Sequence, residues 1–94
     1  MEQKNNTLFA DVVNCLQSVL RRYADDDVTI EMHTDLRRDL ALDSLDYFDL
    51  IGFVETRFEV HISGESLRGI TRFDEVCAVL TQVIEQQRNH LNKG

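Results

Sequence analysis

Three stretches of the chain carry apolar residues at the spacing of an amphipathic helix. In the first, from about Leu8 to Tyr23, apolar residues recur three or four positions apart and form one stripe. The second runs from Ser44 to near Glu59 and the third from about Arg72 to Arg88, with a short helical piece, Glu65 to Gly69, between them. The pattern predicts an all-α fold, a small bundle of three main helices plus one short helix.

Polar residues at the predicted helix starts indicate N-caps. Thr7 precedes the first helix, and Asp43 precedes the second, where Asp46 adds a carboxylate to the first turn that the helix dipole favours. Thr71 and Asp74 have the spacing of a capping box before the last helix. We therefore expect each main helix to begin at a side chain that satisfies its free backbone N–H groups.

The segment between the first two helices is long and mostly polar. It opens with three aspartates at 25–27 and spans roughly eighteen residues, which exceeds the usual loop of a compact domain. Its scattered apolar residues are expected to pin it to the core; they are Val28, Ile30, Leu36 and Leu40. We expect one domain over residues 1–94, with a core at about 8–88 and frayed tails.

Composition narrows the function classes. The 94 residues carry a net charge of −7, which argues against nucleic-acid binding because phosphate contacts need a basic surface. No apolar run reaches the length of a membrane span, and the polar N-terminus lacks a signal-peptide core, so we expect a cytoplasmic protein. The two cysteines are expected to be buried thiols, and the three scattered histidines lack metal-ligand spacing.

The negative charge is concentrated between Asp39 and Leu67. That window holds seven acids and one base, a net charge of −6. Such a field steers and orients a basic partner more than it stabilises a fold. A solvated face that only keeps the protein soluble is the alternative.

The tetrapeptide Asp43-Ser44-Leu45-Asp46 carries the candidate chemistry. Ser44 stands at the start of a helix without the neighbouring base that a serine nucleophile requires, and without the glycines of a hydrolase elbow. We therefore expect no catalytic residue in this chain. Ser44 is either an ordinary first residue of a helix or a hydroxyl that another enzyme modifies.

The region around Ser44 resembles the acyl carrier proteins. The resemblance rests on residues 39–46, on the acidic-apolar helix that ends at 55–58, and on Ile70-Thr71 followed by Phe73 and Val76. It covers about residues 8–86. It implies that a separate phosphopantetheinyl transferase, with Mg²⁺ and coenzyme A, attaches 4′-phosphopantetheine to Ser44. The arm's thiol would then hold an acyl group as a thioester, and this chain itself would catalyse nothing.

The resemblance also gives the acidic face a role. Carriers of this family visit acyl-loading and acyl-using enzymes through basic patches, by weak and rapid contacts. It implies partner docking by four acids and two apolar residues, and we expect the carrier to be a monomer. The docking residues would be Asp43, Leu45, Asp46, Phe48, Asp49 and Glu55.

Several departures from the family pattern bear on the pathway. Ala41-Leu42 stands where a glycine and a small residue are common, and Gly52 stands where a larger apolar residue often contacts partners. Ser63-Gly64 replaces a frequent proline, and Arg57 interrupts the acidic series. These departures favour a specialised carrier over one for housekeeping fatty-acid synthesis. Such a carrier would serve a dedicated ligase, a secondary-metabolite pathway such as polyketide synthesis, or a protein-acylation system. An aminoacyl or peptidyl carrier, and a carrier-fold interaction module that is never modified, remain as alternatives.

Overall fold

The computed structural model describes the backbone of residues 3–93 and the side chains of residues 7–88. It consists of α1 (Gln3–Leu20), α2 (Ser44–Phe58), a 3₁₀ helix (Gly64–Leu67) and α3 (Phe73–Lys93). The described residues form no β-strand, only one isolated antiparallel bridge. The predicted all-α bundle of three main helices and one short helix is confirmed.

The first helix begins and ends earlier than predicted. Because α1 starts at Gln3, Thr7 lies inside the helix, and the prediction that Thr7 is its N-cap is wrong. The apolar stripe marks only the part of a helix that packs on the core, so it does not show how far a polar end continues. At the other end, the N–H of Tyr23 bonds the Leu20 carbonyl at 2.9 Å, which tightens the chain into a turn.

The last helix extends beyond its predicted end at Arg88 and continues to Lys93. The side chains of residues 1–6 and 89–94 lie outside the described part of the chain. The expected fraying of the two tails therefore stays a prediction.

All three α-helices contribute to one apolar core. The apolar stripe predicted for α2 is confirmed: Tyr47 is half-buried, and the other four residues of the stripe are buried, namely Leu50, Ile51, Val54 and Phe58. Facing it are fully buried residues of the other helices, among them Leu16, Leu20, Phe73 and Leu80. Cys77 is buried there too, and burial raises the pKa of its thiol to about 12, so it packs as a small apolar residue.

The connection between α1 and α2 is pinned to this core. Ile30 and Leu36 are buried and Leu40 packs partly buried against the core, as predicted, whereas Val28 is half-buried and is not among the residues packed on the core. Leu42, which the prediction omitted, is buried as well. A long loop thus behaves as an ordered part of the domain.

Two backbone bonds join this connection to the start of α3. The N–H groups of Phe73 and Asp74 donate to the carbonyls of Thr34 and Met32, both at 2.8 Å. The first turn of a helix has N–H groups without partners inside the helix. Here distant carbonyls satisfy them.

The predicted capping box of α3 is not formed. The Thr71 hydroxyl donates to the Asp35 carboxylate at 3.0 Å, and the Asp74 carboxylate pairs with Arg72 at 2.8 Å. The prediction was wrong because it considered only partners close in sequence. The N–H groups at the start of α3 instead bond to carbonyls of the α1–α2 connection.

Asp35 organises the middle of the connection. One carboxylate oxygen accepts the N–H groups of Arg37 and Arg38 at 3.0 and 2.8 Å, and the other accepts the Thr71 hydroxyl. The Asp35 N–H in turn donates to the Asp39 carboxylate at 2.9 Å. The N–H of Arg38 is the largest cause that lowers the pKa of Asp35, and the N–H of Asp35 is the largest that lowers the pKa of Asp39.

The approach to α2 contains a strained residue. Ala41 has a φ of 58°, in the left-handed region that costs a residue with a Cβ about 1–2 kcal/mol. The next residue, Leu42, donates its N–H to the Leu36 carbonyl at 3.1 Å. The chain tolerates the strain because this bond and the burial of Leu42 fix the path into α2.

We predict that Asp35→Asn reduces the acid sensitivity of the fold. The lowered pKa of Asp35 means that the unfolded state binds its proton first, at a pH of about 4. The stability contributed by the carboxylate is therefore complete above that pH and is lost as the pH falls through the folded-state pKa. Urea unfolding, followed by circular dichroism from neutral pH downward, should show that the free energy of unfolding falls less steeply with pH in the variant than in wild type. Asp27→Asn, in an exposed residue of the same connection, is the control; an equal loss in wild type and Asp35→Asn would contradict the prediction.

We also predict that Ala41→Gly stabilises the domain. Removing the Cβ relieves the left-handed strain, and this gain exceeds the added entropy of the unfolded chain, for a net increase of about 0.5–1 kcal/mol in unfolding free energy. The matched control is Ala78→Gly, in an exposed residue inside α3, which should cost about 1 kcal/mol. Urea unfolding at neutral pH measures both. If Ala41→Gly and Ala78→Gly lower the free energy of unfolding equally, Ala41 is not strained and the prediction is wrong.

Candidate functional site

The start of α2 is held by a complete capping box. Asp43, the N-cap, accepts the Asp46 N–H at 3.0 Å, and the Asp46 carboxylate accepts the Asp43 N–H at 3.1 Å. The predicted cap at Asp43 is confirmed. The sequence prediction did not foresee that Asp46 returns the bond, because the usual residue at that position is Glu or Gln.

Ser44 is the first residue of α2 and is exposed. Because Asp43 supplies the cap, the Ser44 hydroxyl is not needed for it, and this hydroxyl has no hydrogen-bond partner among the described residues. The histidines with described side chains are engaged elsewhere, His33 with Glu31 at 3.2 Å and His61 with Glu55 at 3.5 Å. Ser44 is thus an accessible hydroxyl without an activating base.

A groove opens beside Ser44, between α2 and residues 64–71. Its volume is about 470 Å³. The wall is mostly apolar, and charged side chains are part of the lining; among the lining residues are Arg37, Tyr47, Phe48, Ile51, Leu67, Arg68 and Ile70. From α2 the groove is lined by Ser44, Tyr47, Phe48 and Ile51, so it extends from the helix start along two turns of α2.

Two contacts shape this groove. The Tyr47 hydroxyl donates to the Ile70 carbonyl at 3.1 Å and joins α2 to the segment before α3. The Phe48 ring lies over Gly64, where an added Cβ would be only 3.1 Å from Phe48 Cε1, so glycine permits the close approach. Phe58, by contrast, is buried in the core and does not line the groove.

The outward face of α2 combines apolar and acidic residues. Leu45 is 71% exposed and Phe48 is 60% exposed, large fractions for apolar side chains. Asp49 is exposed too, and its carboxylate accepts the Tyr23 hydroxyl at 3.2 Å. Together with Asp43 and Asp46, these side chains lie along the first two turns of the helix, next to Ser44. We call the five residues Asp43, Leu45, Asp46, Phe48 and Asp49 the docking face, after the role predicted for them, which stays a prediction.

Glu55 lies in a different environment from the docking face. It is half-buried, and its carboxylate accepts the Ile62 N–H at 2.7 Å. It therefore holds the chain that leaves α2, after a turn in which Glu59 adopts a left-handed conformation. Its part in docking stays a prediction.

Sequence reasoning missed two arginines that line the groove. Arg37 comes from the α1–α2 connection and Arg68 follows the 3₁₀ helix. Arg68 pairs with Glu65 at 3.5 Å. One feature of the sequence could have indicated Arg37: the basic pair Arg37-Arg38 stands directly before the acidic window that begins at Asp39. Only the folded chain shows that Arg37 reaches the same groove as Ser44.

Among the described residues, no group of three or more His, Cys, Asp or Glu side chains could hold a metal ion. Within the same part of the chain, no helix combines the length and apolarity needed to cross a membrane.

Comparison with known families agrees with this geometry. The family model described as the phosphopantetheine attachment site matches residues 10–80, which include Ser44, the capping box and every residue of the groove. No curated protein and no solved structure matches the chain significantly. Domains of the matched family carry 4′-phosphopantetheine covalently and are carriers rather than catalysts. The chain belongs to the phosphopantetheine attachment site family and is a carrier protein.

Proposed function

We propose that Ser44 is the attachment residue and that the chain carries acyl groups as thioesters on its phosphopantetheine arm. The observation that carries this proposal is the state of the Ser44 hydroxyl. It is exposed and has no hydrogen-bond partner among the described residues, while the neighbouring Asp43 performs the capping that a serine at a helix start often performs.

The residues around Ser44 fit the arm. A phosphodiester on its Oγ would lie at the N-terminal end of α2, where the helix dipole and the free N–H groups of the first turn favour an anion. When bound, the arm supplies the thiol that holds the acyl group. The groove offers an apolar surface beside the attachment point, lined by Tyr47, Ile51 and Leu67.

In this function the chain acts by being bound in turn by several enzymes. A phosphopantetheinyl transferase moves the arm from coenzyme A to Ser44: a bond forms between the serine oxygen and the phosphorus of the arm, the pyrophosphate bond breaks, and 3′,5′-ADP and the hydroxyl proton leave. Acyl-loading and acyl-using enzymes follow. We propose that each binds the docking face through a basic patch, with Glu55 as an outlying contact. Leu45 and Phe48 add apolar area to a contact that is otherwise electrostatic, which suits rapid binding and release.

The acidic docking face favours an acyl cargo over an aminoacyl or peptidyl one, because Asp43 and the acids of α2 match the acyl carriers. The departures at Ala41, Gly52 and Gly64 favour a specialised acyl pathway. We propose a monomer in the cytoplasm, where the free thiols of Cys15 and Cys77 remain reduced.

Intact mass tests the attachment. After incubation with coenzyme A, Mg²⁺ and a broad-specificity phosphopantetheinyl transferase, the protein should gain the mass of one phosphopantetheine group, because Ser44 is accessible. Ser44→Ala should gain nothing, whereas Ser63→Ala, in another exposed serine at a helix start, should load like wild type. If wild type gains no mass, the interaction module that is never modified is favoured. If Ser44→Ala still gains the mass, the attachment residue is not Ser44.

The docking face is tested by removing charge without removing acceptors. We predict that the double variant Asp46→Asn, Asp49→Asn lowers kcat/KM of the transferase roughly tenfold at low salt, since steering by a local field contributes factors of this size to association. Asparagine keeps an oxygen for the capping box and for Tyr23. The control is Glu85→Gln, which removes charge from α3. If the double variant and the control behave alike, the acidic face serves solubility rather than docking.

A further inference from the structure

Arg37 stands apart from the other arginines. Among the residues whose side chains the structure describes, every other arginine contacts a carboxylate, a carbonyl or an aromatic ring. Its neighbour Arg38, for example, pairs with Asp39 at 3.3 Å. The Arg37 side chain is exposed and has no such partner among these residues. Because the Arg37 guanidinium lines the groove and pairs with no carboxylate of the described residues, it can bind an anion there.

The backbone of Arg37 is nevertheless fixed. Its N–H donates to the Asp35 carboxylate at 3.0 Å, and that carboxylate also binds the Thr71 hydroxyl. The adjacent Leu36 is buried and donates its N–H to the Thr71 carbonyl at 2.8 Å. The arginine therefore extends from an ordered turn, and only its side chain is free to search for a partner.

Two observations bring Arg37 close to Ser44. Both residues line the same groove. In addition, burial raises the pKa of the Tyr47 phenol, and the positive charge of Arg37 acts on the same phenol in the opposite direction. Tyr47 follows Ser44 by three residues in α2, so the two side chains are neighbours on one face of the helix.

We propose that Arg37 binds the phosphodiester that joins the arm to Ser44. The inference rests on Ser44 being the attachment residue. It assigns a specific counter-ion to the arm and gives the unpartnered arginine a function.

The charges around Ser44 make such a counter-ion valuable. Asp43 and Asp46 flank the serine, and a phosphodiester there adds a third negative charge close to both. The N-terminal dipole of α2 offsets part of this repulsion. An arginine can add two parallel hydrogen bonds to phosphate oxygens, which a dipole cannot.

The position of Arg37 also gives the arm a direction. Since Arg37 lines the groove, a phosphodiester bound to it is drawn toward the groove and away from the exposed side chain of Leu45. The pair is exposed, so it is weak and a partner enzyme can replace it with its own cation.

Three variants test the proposal, each prepared in the unmodified form and in the form loaded with the bare arm. Arg37→Gln removes the proposed contact. Arg38→Gln removes an adjacent charge that does not line the groove, and Arg68→Gln removes the other groove arginine, which already pairs with Glu65. Intact mass first confirms complete loading, so a failure to load, which would contradict Ser44 as the attachment residue, is distinguished from a failure of the Arg37 contact.

The readouts are urea unfolding and NMR. Loading should lower the unfolding equilibrium constant of wild type about 1.5- to 5-fold more than that of Arg37→Gln, the range for an exposed ion pair, and Arg38→Gln and Arg68→Gln should behave like wild type. The Nε–Hε signal of Arg37 should shift on loading, and the phosphorus-31 signal should differ between wild type and Arg37→Gln. Both differences should shrink at high salt.

Loading with two acyl groups of equal length identifies the anion. A succinyl group carries a carboxylate at its end and a butyryl group does not. If the Arg37 signal shifts with the bare arm and with both acyl groups, the phosphodiester is the ligand. A shift seen only with the succinyl arm would overturn the proposal in favour of a carboxylate on the cargo. No shift in any form, or equal effects in all three variants, would overturn it outright.

Discussion

The contact between the α1–α2 connection and the start of α3 is the constraint on which the site depends. It consists of main-chain bonds from Phe73, Asp74 and Leu36 across the interface, together with the Thr71–Asp35 side-chain bond. The bonds from Phe73 and Asp74 satisfy donors that a helix start leaves free. They also fix the long connection, and with it the path through Leu42 into α2. A mobile connection would leave Ser44 and its groove without a defined relation to each other.

Because the connection is anchored, neighbouring residues at the start of α2 can have different functions. Asp43 and Asp46 bind each other's N–H groups and stabilise the helix start, which leaves the Ser44 hydroxyl unengaged. A serine that served as the N-cap would hold its oxygen against the helix backbone. The same two residues can therefore stabilise α2 locally and attract a basic partner at longer range.

The sequence predicted those parts of the molecule that depend on local spacing. The stripe of α2 and the cap at Asp43 follow from residues within one helix, and the structure has both. Thr71 and Asp74 were misassigned because distant carbonyls, not local side chains, cover the start of α3. Arg37 was missed for the same reason: its proximity to Tyr47 is set by the fold of the connection. Non-local contacts leave no periodic signal in a sequence.

Phe48 links the docking face to the groove, and Leu45 does not. The Phe48 ring is 60% exposed, yet it lies over Gly64 and forms part of the groove wall. A partner that binds this ring therefore touches the surface beside which the arm is attached. Leu45 is more exposed and lies outside the groove. In the proposed docking role, a change at Leu45 affects docking alone, whereas a change at Phe48 affects docking and the groove together. The difference between the two effects measures how strongly docking and the groove are coupled.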